Sequence, residues 1–129
     1  MQIEPANEHE AVAERLRRLI DELAGLGARI ALLARQLRLP LQTRAEVEQV
    51  LAGDEHEQAH EPLRGRQACM REELRGLLVL RYELVTRIAD EVGAQAARNI
   101  LLGAQHRLLR EGFGPHAPGM DLHPLFDGL

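Results

Sequence analysis

Residues 56–60 read His-Glu-Gln-Ala-His, two imidazoles four positions apart with a carboxylate beside the first. On a helix that spacing places both rings on one face. There they can share a Zn²⁺ while Glu57 takes a proton from metal-bound water. A second unusual position is Arg81, a cation within the apolar stripe Leu74, Leu77, Leu78, Leu84, Val85 and Ile88. A desolvated guanidinium needs a carboxylate or a bound anion. Arg81, with its neighbour Tyr82, is therefore the candidate ligand-binding pair. The structural alternatives are an acid such as Glu22 or one from a second chain, or snorkelling of the guanidinium to water. Cys69 has no His near it on a helix face to activate it and is expected to be a small buried hydrophobe. His116 and His123 are competent metal ligands at a spacing that matches no metal motif.

The segment His56 to His60 resembles the signature of the zincin metallopeptidases. That resemblance implies His56 and His60 as zinc ligands and Glu57 as general base. It covers five residues and departs from the family pattern at Glu61, where an uncharged or apolar residue is usual. Pro62 disfavours helical geometry at Glu61 and removes one helical hydrogen bond. Asp54 and Glu55 make an acidic approach, and no third ligand follows at a recognisable spacing. The residues themselves read as a solvated acidic turn with two surface histidines, and zinc is the one cofactor they leave open. A carboxylate-bridged di-metal bundle would need inward Glu-x-x-His pairs. Glu73, Glu83 and Glu91 have no His three residues on, so that pattern is absent.

The elements that must position these residues are helical. Val12, Leu16, Leu19, Leu23, Leu26, Ile30, Leu33 and Leu37 are separated by steps of 4, 3, 4, 3, 4, 3 and 4. Strand periodicity cannot produce that seam. The adjoining Ala13, Ile20, Gly27 and Ala34 widen it to a stripe suited to a bundle of three or more helices. Asn7 with Glu10 resembles a capping box, which predicts a helix over residues 8–38 limited by Pro40. Gly25 and Gly27 are read as local tolerance. Thr43 and Glu46 form a capping box opening a short helix to Ala52, closed by Gly53. Helical patterning resumes over 63–92, where the apolar run Leu77 to Leu80 predicts a centrally placed segment. Gly93 ends that helix, and a further one spans 94–111. Residues 113–129 form a Pro/Gly-rich apolar tail beyond a bundle domain over 1–112.

Composition excludes several function classes. The 129 residues suit one domain that folds without metal or disulfide. Aromatics make up 2% of the chain, which argues against a sandwich, a barrel or a base-stacking platform. Net charge is −4, the wrong sign for nucleic acid or an anionic membrane surface. Every basic side chain is Arg, scattered through all segments in the manner of a codon bias. The lone cysteine permits no intrachain disulfide and fits a reducing compartment. The acidic N-terminal stretch has no apolar signal region, and no apolar run is long enough to span a membrane. A cytoplasmic location is the expectation.

Helix lengths complete the reading. Residues 8–38 and 63–92 make rods of about 46 and 45 Å, whereas the last helix is about 27 Å long. The expected fold is an all-α antiparallel bundle of two long helices, one short connecting helix and one medium helix. The medium helix leaves part of the long pair uncovered. Ile30, Leu33, Leu37, Leu63, Met70 and Leu74 are therefore expected at a homodimer interface. Phe113, Leu122, Leu125 and Phe126 are expected to fold the tail back over the exposed bundle end of that dimer, or to reach a neighbour or a protein partner. The leading functional expectation is a non-catalytic protein-interaction or regulatory module. A metal site at His56, Glu57 and His60 and an anion-binding bundle using Arg81 are the alternatives.

Overall fold

A computed structural model describes residues 5–52, 65–119 and 123–126. Among the described residues there are helices and turns and no strand: α1 (Pro5–Leu37), α2 (Arg44–Leu51), α3 (Arg66–Val92) and α4 (Ala94–Arg110). Two single 3₁₀ turns follow, at Gly114–His116 and Pro124–Phe126. The four helices pack against one another around α1, which lies against both α3 and α4. No helix among the described residues is long and apolar enough to cross a membrane. His56, Glu57, His60, Leu63 and Leu122 lie outside the described residues, as does the side chain of Phe126.

Local chemistry sets the helix ends. α1 starts at Pro5, so Asn7 lies within the helix and is not its cap. The far end closes in a Schellman motif. The Leu39 N–H donates to the Ala34 carbonyl (2.8 Å) and the Arg38 N–H to that of Arg35 (3.1 Å). Arg38 takes the left-handed conformation there, with φ 57°. The Thr43–Glu46 capping box is present in full, each side chain meeting the other's backbone N–H. Gly93, with φ 91°, separates α3 from α4 without an intervening loop.

Two apolar clusters run along α1. The first joins Leu23 and Ala24 to Val85 and Ile88 of α3 and to Ile100 and Leu101 of α4. The second joins Ile30 and Ala34 to Leu41, to Val47 and Val50 of α2, and to Leu74 and Leu78 of α3. The short helix and its approach loop thus cover what α4 is too short to reach. This corrects the expected open surface: Ile30 and Leu74 are both 0% exposed within a single chain. Leu33 and Leu37 are half-buried against the same cluster, and Met70 is half-buried on α3.

Three further expectations are corrected. Val79 and Leu80 are exposed rather than central, because an unbroken apolar run cannot say which of its faces meets the core. Cys69 is exposed. Val12, first residue of the seam, is also exposed; at about 50 Å α1 is longer than α3 at about 40 Å.

The tail belongs to the same core. Phe113 and Ala117 pack with Ala31 of α1 and Leu108 of α4. A backbone clasp ties this segment to the α1–α2 loop: the Leu41 N–H donates to the Pro115 carbonyl (3.0 Å), and the Gly119 N–H to that of Leu41 (2.9 Å). The Gln42 amide donates to the carbonyls of Gly114 and Ala117. Arg35 donates to the Gly112 carbonyl at 2.7 Å and lies over the Phe113 ring.

The two mid-helix glycines differ. A methyl group at Gly27 would stand 2.7 Å from Leu108 Cδ1, whereas one at Gly25 would meet nothing within 4 Å. Gly27 is therefore a close-contact residue, against the expectation of local tolerance. Gly25→Ala is expected to raise stability by about 1 kcal/mol through helix propensity. Gly27→Ala is expected to lower it by about 1–2 kcal/mol, because Leu108 is enclosed and must shift. Urea midpoints compare the two; equal stabilisation would contradict a close α1–α4 contact.

Candidate functional site

Arg81 lies on α3 among Leu77, Leu78, Val85 and Ile88, all buried, and follows them inward because it shares their helical face. Only 6% of the residue remains exposed. Burial pulls its guanidinium from the usual arginine value down to about 10. No hydrogen bond or ion pair forms to it among the described residues. Glu22, the acid considered for it, lines a different hollow beside Gly25, Leu80 and Arg87. Among the described residues Arg81 is thus a buried cation without a partner.

It lines an open pocket of about 530 Å³ between α2, α3 and the Pro124 turn. Val47 and Leu51 of α2 face Leu78, Val79 and Val85 of α3 across it. The polar groups of the lining are Arg81, Arg44, Glu48, Glu83, Tyr82 and His123. A largely apolar hollow with few polar groups is the usual composition of a small-ligand site. Both residues of the sequence-derived pair, Arg81 and Tyr82, line it. Tyr82 is 47% exposed.

The tail supplies one wall. The ring centroids of His123 and Tyr82 are 4.6 Å apart, with planes tilted by 35°. The Thr86 hydroxyl donates to the Tyr82 carbonyl at 3.0 Å, so its oxygen accepts from His123 Nε2 at 2.8 Å. The Leu125 N–H donates to His123 Nδ1 (3.2 Å). Together these contacts fit the neutral ring with its hydrogen on Nε2. Arg98 donates to the Leu125 carbonyl at 3.1 Å, and Leu125 packs against the α1–α3–α4 cluster.

Sequence reading missed His123, Val47 and Leu51 as parts of one site. The tail offers no periodicity to place His123, and the exposed Leu51 is at the end of a two-turn helix. The helical register of Arg81 was the one local signal. Among the described residues no three His, Cys, Asp or Glu side chains gather as metal donors. His116 is held by the Leu39 carbonyl at 2.9 Å. Comparisons with protein families, curated proteins and solved structures found no match.

Proposed function

We propose that this protein is a non-catalytic binding module for a small organic anion, held in the pocket beside Arg81. The observation that carries the reading is a largely buried guanidinium with no partner among the described residues, lining an apolar hollow. A buried charge is costly until something opposite pairs with it, so binding the anion relieves a cost that folding incurs. Among the described residues the one hydroxyl–imidazole contact at the site, Thr86 with His123, has the ring donating from Nε2 rather than accepting the hydroxyl proton, which favours recognition over turnover. The ion pairs Arg15–Glu91 and Arg29–Glu73 support an antiparallel α1–α3 pair as the frame of the site.

A two-fold dimer is a second reading, on a different surface from that expected from sequence. Its support is the exposure of Leu51, Val79 and Tyr82 around the pocket mouth; a second copy seated there would cover them.

Thermal melts of the full chain test the first reading, with millimolar acetate, benzoate, octanoate, phosphate or citrate at constant ionic strength. At least one anion is expected to raise the melting temperature by several degrees. A protein of this size shifts by about 3 °C per kcal/mol. The same anion should leave Arg81→Leu unmoved. Equal shifts in both proteins would remove Arg81 from the site. Sedimentation of the same samples checks the dimer, and monomer alone at high micromolar concentration removes it.

A further inference from the structure

Resting on the Arg81 reading, we infer that the ligand is a monocarboxylate with an unbranched aliphatic tail, its carboxylate on Arg81 and its chain between α2 and α3. Three features of the pocket select that class. The first is charge. Among the described residues Arg81 is the one cation in the lining without a partner, since Arg44 is already engaged. Glu48 and Glu83 line the same pocket. A single negative charge is neutralised by the guanidinium, whereas a second would face those two carboxylates. Phosphate and dicarboxylates are disfavoured on that ground.

The second feature is shape. A guanidinium presents paired N–H donors that match the two oxygens of a carboxylate. The third is the walls. Val47, Leu51, Leu78 and Val85 are aliphatic, and the ring pair found at the site among the described residues, Tyr82 with His123, is already stacked on itself. A flexible methylene chain fills such a space better than a flat ring does. The volume is within the range of pockets that hold small organic ligands.

Calorimetric titration of the full chain at neutral pH, with octanoate, octan-1-ol, octanedioate and inorganic phosphate, tests the inference. Octanoate is expected to bind saturably at one site. Octan-1-ol and octanedioate are each expected to bind at least about tenfold more weakly, since one leaves the buried charge unpaired and the other adds a repelled one. Arg81→Gln should weaken octanoate on the order of a hundredfold. Glu83→Gln, at an exposed position that does not threaten folding, should narrow the gap between octanoate and octanedioate. Phosphate or octanedioate binding through Arg81 with octanoate silent would overturn the monocarboxylate class and leave the anion site standing. Octan-1-ol binding as well as octanoate, or no binding by any of the four, would overturn both.

Discussion

Arg81→Leu is expected to make the ligand-free protein more stable, by about 2 kcal/mol, while abolishing its response to anions. Removing a buried charge in favour of a hydrophobe of similar reach is commonly neutral or stabilising by about 1–4 kcal/mol. Here no partner among the described residues is lost, and the side chain already sits among Leu78, Val85 and other apolar neighbours. The lowered guanidinium, at about 10, gives the same scale. A shift of that size from the ordinary arginine value corresponds to roughly 3 kcal/mol of desolvation.

The sign of the pH dependence follows. Between about 10 and the unfolded arginine value the unfolded chain holds more protons, so Arg81's contribution to stability rises with pH there. The advantage of the leucine variant is therefore constant from pH 6 to 9 and shrinks only above about 10. Thermal melts across that range check it. A variant less stable than the parent at neutral pH would mean that Arg81 has a favourable partner in the folded chain.

The second large effect concerns the tail. Phe113→Ala is expected to cost about 3 kcal/mol, the lower end for emptying a buried aromatic site. Phe113 is 9% exposed, packs with Ala31 and Leu108, and lies under Arg35. A chain ending at Gly112 should lose more. It gives up Ala117 and Pro118, both buried, together with the clasp onto Leu41 and the wall built from His123. With total stabilities of about 5–15 kcal/mol for a domain, such a chain should melt far lower and bind no anion. Denaturant midpoints of the two chains decide it. An unchanged midpoint for the shortened chain would assign the tail to an external partner rather than to this core.

How much of this was legible in the sequence depends on the range of the signal. The seam from Leu16 to Leu37, the Thr43–Glu46 box and the break at Gly93 are local, and each marks an element the structure contains. Arg81 was legible because a charge on an apolar stripe breaks the local pattern. What covers Ile30 and Leu74 was not. Leu41, which seals them, is in a loop whose conformation is fixed by Pro115 and Gly119 more than seventy residues away. The pocket was illegible for the same reason, since α2, α3 and the His123 turn meet only in three dimensions. The expected dimer surface followed from helix length alone, and α2 with its approach loop covers Ile30 and Leu74 of it.

The most direct test of the buried, unpaired guanidinium as a ligand group is the Arg81 Nε–H resonance in a ¹⁵N-labelled chain titrated with octanoate. With sixteen arginines in the chain and no lysine, the account predicts that the signal missing from Arg81→Leu is protected and shifts saturably with octanoate while the other arginine signals stay. A protected Arg81 signal that octanoate leaves unmoved would contradict it.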